Sequence, residues 1–181
     1  MFFTNFGQVY SMRIADVHAT TGHGEPLQAR FDFQDGEKVV GMLTDYDKIH
    51  LKSTLQVEQI SLVPEENEAL VEEIVQMVAI SKKGQSIRFS IEDYTEVSTV
   101  KGRRYMRLSK DDSIVNVEMS SGDELVAIAS HEGRGLMFPV SDISYFKNAA
   151  KGVRAMALEN KDEVLDFTLC RAYKDGLEVE T

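Results

Sequence analysis

At 181 residues with 43% hydrophobic side chains, the chain holds enough apolar material for one packed core, which excludes wholesale disorder. The lone cysteine, Cys170, excludes an intrachain disulfide and a cysteine zinc site; no run approaches the ~20 apolar residues of a membrane span, so a reducing cytoplasm and no membrane partner are expected. The net charge of -10, taken alone, argues against a polyanionic ligand.

In chain order, three segments of about fifty residues share one plan. The first spans Phe2 to Leu43, the second Val75 to Met119 and the third Leu125 to Leu169. Each opens with an apolar strand that runs into a turn glycine: Gly7, Gly84 and Gly133. A second short strand follows, over Gln8–Ile14, Ser86–Ile91 and Gly135–Val140. A polar loop then leads to another glycine, at Gly24, Gly102 and Gly152. A third strand ends in an acidic turn at Asp35, Asp112 or Asp162, and a fourth closes the unit over Lys38–Leu43, Ser113–Met119 or Glu163–Leu169. Side chains alternate along these last strands, as in Ile114, Val115, Val117 and Met119, and four short strands at constant period predict propeller-like blades. Met42, Met106, Met119, Met137 and Met156 are expected to pack between the blades.

Residues 45–74 interrupt the period as a long insert, with a degenerate fourth blade left open as the other reading. Phe2-Phe3-Thr4 reads as the tail of a strand, which suggests a piece of something larger. The expected division is one domain over 1–181: blade 1–44, insert or degenerate blade 45–74, blades 75–124 and 125–173, and a tail 174–181.

Charge is segregated along this plan. Residues 1–75 carry five basic and thirteen acidic side chains, and residues 111–181 carry seven and fourteen. Residues 76–110 reverse the balance, with eight basic against three acidic. Backbone binding of DNA rewards cations at phosphate spacing together with N–H groups in glycine turns. Repeat two offers Arg88, Lys101, Arg103, Arg104 and Arg107; repeat three offers Lys147, Lys151 and Arg154. The two clusters fall at the same place in the repeat, so stacked blades align them on one rim. Repeat one places His18, Thr20, Thr21 and His23 there instead.

Nothing in the chain reads as catalytic. His18, His23 and Asp16 lack a third ligand at metal spacing, and Asp45-Tyr46-Asp47 has no partner glutamate. No Gly-Lys-Ser/Thr phosphate loop occurs. Tyr105 follows Arg104 inside a strand and reads as structural rather than as a nucleophile. No metal and no cofactor are expected.

FFTNFGQVYSMRIADV with QDGEKVVGML, SKKGQSIRFSIEDY, and HEGRGLMFPVSDISYFKNAAKGVRAMALENKDEVLDFTL resemble blades of the C-terminal domain of the DNA gyrase A subunit, or of its topoisomerase IV counterpart. The resemblance covers most of the chain except about 45–74. It implies an all-β, propeller-like β-pinwheel whose blades exchange strands, three of them clear in this chain. It also implies a non-catalytic accessory domain of an ATP-dependent type II topoisomerase, nucleoid-associated in a bacterium. Such a domain binds and bends double-stranded DNA on a basic outer rim, beside the ATPase B subunit and the rest of the A subunit. The glutamine–arginine–glycine box used for tight wrapping in gyrase has no counterpart here, where the loops read HATTGHGEP, VSTVKGRRY and FKNAAKGVR. A competing reading is an acidic protein-interaction module of the same fold that does not bind DNA.

Overall fold

A computed structural model describes residues 1–44, 75–159 and 161–170; the insert at 45–74 and the tail at 174–181 lie outside the described residues. Within them the chain is strands, turns and single turns of 3-10 helix. Blade 1 contains β1 (Phe2–Thr4), β2 (Gln8–Tyr10) and β3 (Val39–Met42). Blade 2 contains β4 (Gln76–Ser81), β5 (Gln85–Ser90) and β7 (Ile114–Ser120). Blade 3 contains β8 (Leu125–Ser130), β9 (Gly135–Pro139) and β11 (Val164–Cys170).

The two remaining strands, β6 (Arg103–Arg104) and β10 (Val153–Arg154), do not join the blades of their own repeats. β6 pairs with β2, giving the sheet order β3-β1-β2-β6, and β10 pairs with β5, giving β10-β5-β4-β7. Repeats two and three thus each hand a short strand to the blade before it. The third sheet, β11-β8-β9, has three strands.

Close backbone contact explains the turn glycines of the receiving blades. Gly7 and Gly84 lie at φ +73 and +74, and a Cβ on either would meet the carbonyl oxygen of Met106 or Met156 at 2.4 or 2.5 Å. Those contacts come from the incoming segment, whose Tyr105 and Ala155 N–H groups donate to the Gly7 and Gly84 carbonyls at 2.9 and 2.8 Å.

Alternation of side chains divides the core in two. Met77 and Ala79 of β4 pack toward blade 1 with Phe3, Ile87, Phe89 and Tyr105. Val78 and Ile80, on the opposite face of the same strand, pack toward blade 3 with Val126, Ile128, Val164 and Phe167. Blade 2 is therefore buried on both faces, and its central strand reads as a continuous apolar run. Polar tethers cross the second junction: the Leu169 N–H donates to Glu118 Oε2 at 2.9 Å, and burial pushes the Glu118 carboxyl above its ordinary value.

A carboxylate latch recurs at each first hairpin, with a hydroxyl donor in blades 1 and 2 and backbone donors in blade 3. Thr4 Oγ1 donates to Glu37 at 2.6 Å, and Ser81 Oγ donates to Asp112 at 2.8 Å. In blade 3 the Asp162 carboxylate accepts the Glu132 and Glu163 N–H groups at 3.1 and 2.9 Å. The structural counterpart of Asp112 and Asp162 in repeat one is thus Glu37, which corrects Asp35. Replacing Asp112 by alanine strands the Ser81 hydroxyl and the Lys83 and Ser113 N–H groups that it accepts. We expect a loss of about 1–2 kcal/mol in urea-monitored unfolding, because these donors are only partly shielded from water.

Three further expectations are corrected. The second strand of repeat one stops at Tyr10, and Ile14–Asp16 forms a 3-10 turn. The third strand of repeat one is absent: Leu27–Ala29 forms a 3-10 turn after Pro26, while Phe31 and Phe33 hold the segment against the Tyr10 ring at 4.9 and 4.7 Å. Met106 and Met156 are buried and Met119 packs against the first core, but Met42 and Met137 are 65% and 58% exposed.

Burial, followed by the charge and hydrogen bond of Glu37 and the charge of Asp32, pushes the Tyr10 hydroxyl from 10.0 up to about 12. Tyr105 is raised well above 10.0, first by its burial. Above about pH 10 the unfolded tyrosines release protons that the folded ones keep, so the native state binds more protons and stability falls as pH rises. The melting temperature is expected to hold up to about pH 9 and to decline through about pH 11, less steeply for Tyr10→Phe. A flat profile to pH 11 would contradict this assignment.

Candidate nucleic-acid interface

A two-residue strand sends its successive side chains to opposite faces, and this splits the Arg103-Arg104 pair. Arg104 lies opposite Gln8 and is exposed. Arg154 lies opposite Gln85, in the same register one blade on, and is exposed as well. Strand exchange thereby puts one outward arginine on the outer edge of each receiving blade. Arg103 faces the other way, donating to the Asp93 carbonyl at 2.9 Å and pairing with Glu96 at 3.4 Å. Its counterpart Val153 is half-buried.

Lys101 and Lys151 precede the glycines that open the exchanged strands, and both are exposed. A backbone contact joins the two loops. Met106 bridges to Ala150, and the Arg107 N–H donates to the Ala150 carbonyl at 2.8 Å. Arg107 is therefore carried next to Lys151, and the run Lys101, Arg104, Arg107, Lys151, Arg154 follows one connected stretch of backbone. Lys147 is exposed just after Phe146, whose N–H donates to the Arg88 carbonyl at 2.8 Å. Arg88 itself is half-buried, its backbone bridged to Tyr145, and its buried Nε has no hydrogen-bond partner. Among the described residues, Lys101, Arg104, Arg107, Lys147, Lys151 and Arg154 have no acidic partner within ion-pair distance.

Several cations elsewhere are paired with acids, although Lys38, Lys110 and Lys161 are exposed without an ion pair among the described residues. Arg13 pairs with Asp16 at 3.0 Å and Arg30 with Glu25 at 2.9 Å. The Arg13 hydrogen bond holds the Asp16 carboxyl below its ordinary value, and the Arg30 hydrogen bond does the same for Glu25. His18 leans on Glu25 at 3.6 Å and Arg134 pairs with Glu159 at 2.8 Å. Gln8 and Gln85 are the rim residues that sequence reasoning missed. Their signal was the amide directly after Gly7 and after Gly84, which gives the neighbouring arginine an uncharged cross-strand partner. Among the described residues no cluster of three metal-binding side chains occurs, and no helix is long and apolar enough to cross a membrane.

Antiparallel blades linked by strands passed backward from repeat to repeat define a β-pinwheel of the propeller class. The family model for the DNA gyrase C-terminal domain, a β-propeller, matches residues 1–44, 76–121 and 124–171. This chain belongs to that family, whose place is the accessory C-terminal part of gyrase A rather than its catalytic core. The chain is 26% identical over 175 residues to the DNA gyrase A protein of Rickettsia bellii, covering 96% of this chain and 17% of that relative. It is 32% identical over 94 residues to the gyrase A protein of Kosmotoga olearia, covering 51% of this chain and 12% of that relative. The chain thus spans less than a fifth of these relatives. Among solved structures, the C-terminal domain of E. coli ParC superposes with a TM-score of 0.68 at 16% identity, over 94% of this chain and 61% of that one. The C-terminal domain of DNA topoisomerase IV gives 0.66 at 18% identity, over 94% and 46%. The DNA gyrase A C-terminal domain gives 0.60 at 16% identity, over 93% and 46%.

Proposed function

We propose that this chain binds duplex DNA along its phosphate backbone on the rim formed by Lys101, Arg104, Arg107, Lys147, Lys151 and Arg154. Arg88 and Arg103 support that rim from behind, Arg88 through its backbone bridge and Arg103 through its own acidic neighbours. The observation that carries this reading is the equal register of Arg104 and Arg154 on adjacent blades, joined through Met106 and Ala150. Exposed cations without acidic partners lose little by trading water for phosphate and release counterions from DNA as they do so. The acidic remainder of the molecule repels DNA from the other faces, which confines the duplex to one path. A duplex held at points on successive blades follows their curvature, so binding is coupled to bending. Within a type II topoisomerase this would steer the DNA segment presented to the rest of the gyrase A protein, working with the ATPase B subunit in a bacterial cytoplasm.

The test is fluorescence anisotropy of a labelled duplex of ~40 base pairs over a salt series. Six rim cations predict a fall of log affinity against log salt with a slope of magnitude about 5. No binding at low salt would overturn the reading and favour the acidic interaction module instead.

A further inference from the structure

The junction of blades 1 and 2 and the junction of blades 2 and 3 are built alike but differ in charge. At the second, the Arg107 N–H donates to the Ala150 carbonyl at 2.8 Å, which sets Arg107 beside Lys151. At the first, the Asp32 N–H donates to the Val100 carbonyl, also at 2.8 Å, which sets Asp32 beside Lys101. Val100 and Ala150 hold one place in the repeat, each two residues ahead of the glycine that opens an exchanged strand.

Burial follows the same register. Phe31 and Met106 are both buried, while the residues after them, Asp32 and Arg107, are both exposed. Spacing along the chain conceals this equivalence. Asp32 follows Gly24 by eight residues and Arg107 follows Gly102 by five, a surplus equal to the 3-10 turn Leu27–Ala29. Repeat one therefore presents a carboxylate where repeat two presents a guanidinium.

Asp32 is also the acid that its own loop leaves over. Between Arg13 and Phe33 the acids are Asp16, Glu25 and Asp32. Arg13 pairs with Asp16 and Arg30 with Glu25, but among the described residues no basic group stands within ion-pair distance of Asp32. A phosphate approaching Lys101 thus meets a cation and an anion, where one approaching Lys151 meets two cations. Neighbouring exposed charges remain coupled inside the ~10 Å screening length of 0.1 M salt, so the carboxylate weakens what Lys101 gains from a phosphate.

We propose that Asp32 sets how tightly duplex DNA is held on the rim. Standing at the place of Arg107, it loosens the duplex at the junction of blades 1 and 2. The junction of blades 2 and 3 is left as the tight point of contact, and the hold becomes asymmetric. This assignment rests on the DNA-rim reading above. It acts through the phosphate backbone, so it alters affinity without regard to base sequence.

The side chain of Asp32 is exposed and the junction bond is made by its backbone, so substitution leaves the fold in place. In the anisotropy assay Asp32→Asn is expected to strengthen duplex binding about 3-fold. Asp32→Arg recreates the pair of Arg107 and Lys151, and is expected to strengthen binding about 10- to 30-fold with a salt slope steeper by about 1. Asp123→Arg makes the same change of charge in the turn after β7, the sheet edge opposite β10, and should change affinity by less than about 3-fold. Arg107→Asp alone should weaken binding at least about 10-fold, and combining it with Asp32→Arg should restore affinity to within about 3-fold of wild type. Wild-type binding that neither Asp32 variant strengthens overturns the role of Asp32 and leaves the rim reading standing. An equal gain from Asp123→Arg overturns that role too, because net charge then accounts for the effect, as does a combined variant no stronger than Arg107→Asp. Absence of binding by the wild type and by both Asp32 variants at low salt overturns the rim reading and this assignment together.

Discussion

Replacing Tyr105 by alanine is expected to lower the unfolding free energy by about 3–5 kcal/mol, the range for deleting a large buried aromatic. Tyr105 follows the exchanged strand of repeat two and is fully buried in the junction of blades 1 and 2. Its ring stacks on Phe89 at 5.1 Å and 22° and meets Phe3 edge-on at 5.5 Å and 79°. Its hydroxyl donates to the Thr4 carbonyl at 2.9 Å. One side chain therefore touches the strand that opens blade 1 and the strand that opens the rim side of blade 2. Truncation leaves a cavity bounded by two sheets that strand exchange holds in place, so collapse around it is hindered. Tyr105→Phe separates packing from hydrogen bonding. The Thr4 carbonyl keeps the Gly7 N–H at 3.1 Å, so losing the hydroxyl costs only about 0.5–1.5 kcal/mol. Urea unfolding of the two variants checks both values, and equal losses would show that the ring contributes little.

Much of this architecture was legible because the strands are short and their turns are punctuated by glycine. The glycines at 7, 84 and 133, and those at 24, 102 and 152, all take the positive φ that only glycine adopts readily. The destination of β6 and β10 was not written in any local pattern. Alternation tells which side of a strand is apolar, but the sheet that a two-residue strand joins is decided by tertiary register. Direct reading of the residues gave four strands to each repeat, and strand exchange entered only through the family resemblance. Repeat one misled because its spacing resembles the other two while Pro26 and the Phe31 and Phe33 contacts with Tyr10 divert it into a 3-10 turn. The acidic residue that matches Asp112 and Asp162 lies two residues beyond the expected Asp35 for a related reason. Asp35 is acidic and suitably spaced, yet Glu37 reaches the Thr4 hydroxyl. At the rim, the sequence showed which loops are cationic but not which arginine of the Arg103-Arg104 pair faces outward.

That last distinction yields the sharpest functional expectation. Arg104→Glu and Arg154→Glu should each weaken duplex binding at low salt by about 10- to 100-fold, from the ~1.5–3 kcal/mol of a hydrogen bond to a charged group. Each should also reduce the magnitude of the salt slope by about 1, because one phosphate contact and its released counterion are lost. Arg103→Ala serves as the contrast. Its guanidinium is engaged by the Asp93 carbonyl and by Glu96, so its loss should change affinity by less than about 3-fold and leave the slope intact. The two arginines sit on different blades and share no side-chain partner, so their effects should add in the double variant. If Arg103→Ala weakens binding as much as Arg104→Glu while Arg154→Glu has no effect, the ligand lies on the Asp93–Glu96 side of blade 1. A duplex tracking the aligned arginines would then be the wrong picture. The outward pair is decisive because strand exchange, rather than local sequence, puts Arg104 beside Gln8 and Arg154 beside Gln85. A rim built this way repeats at the period of the blades, and DNA following it meets one arginine per blade.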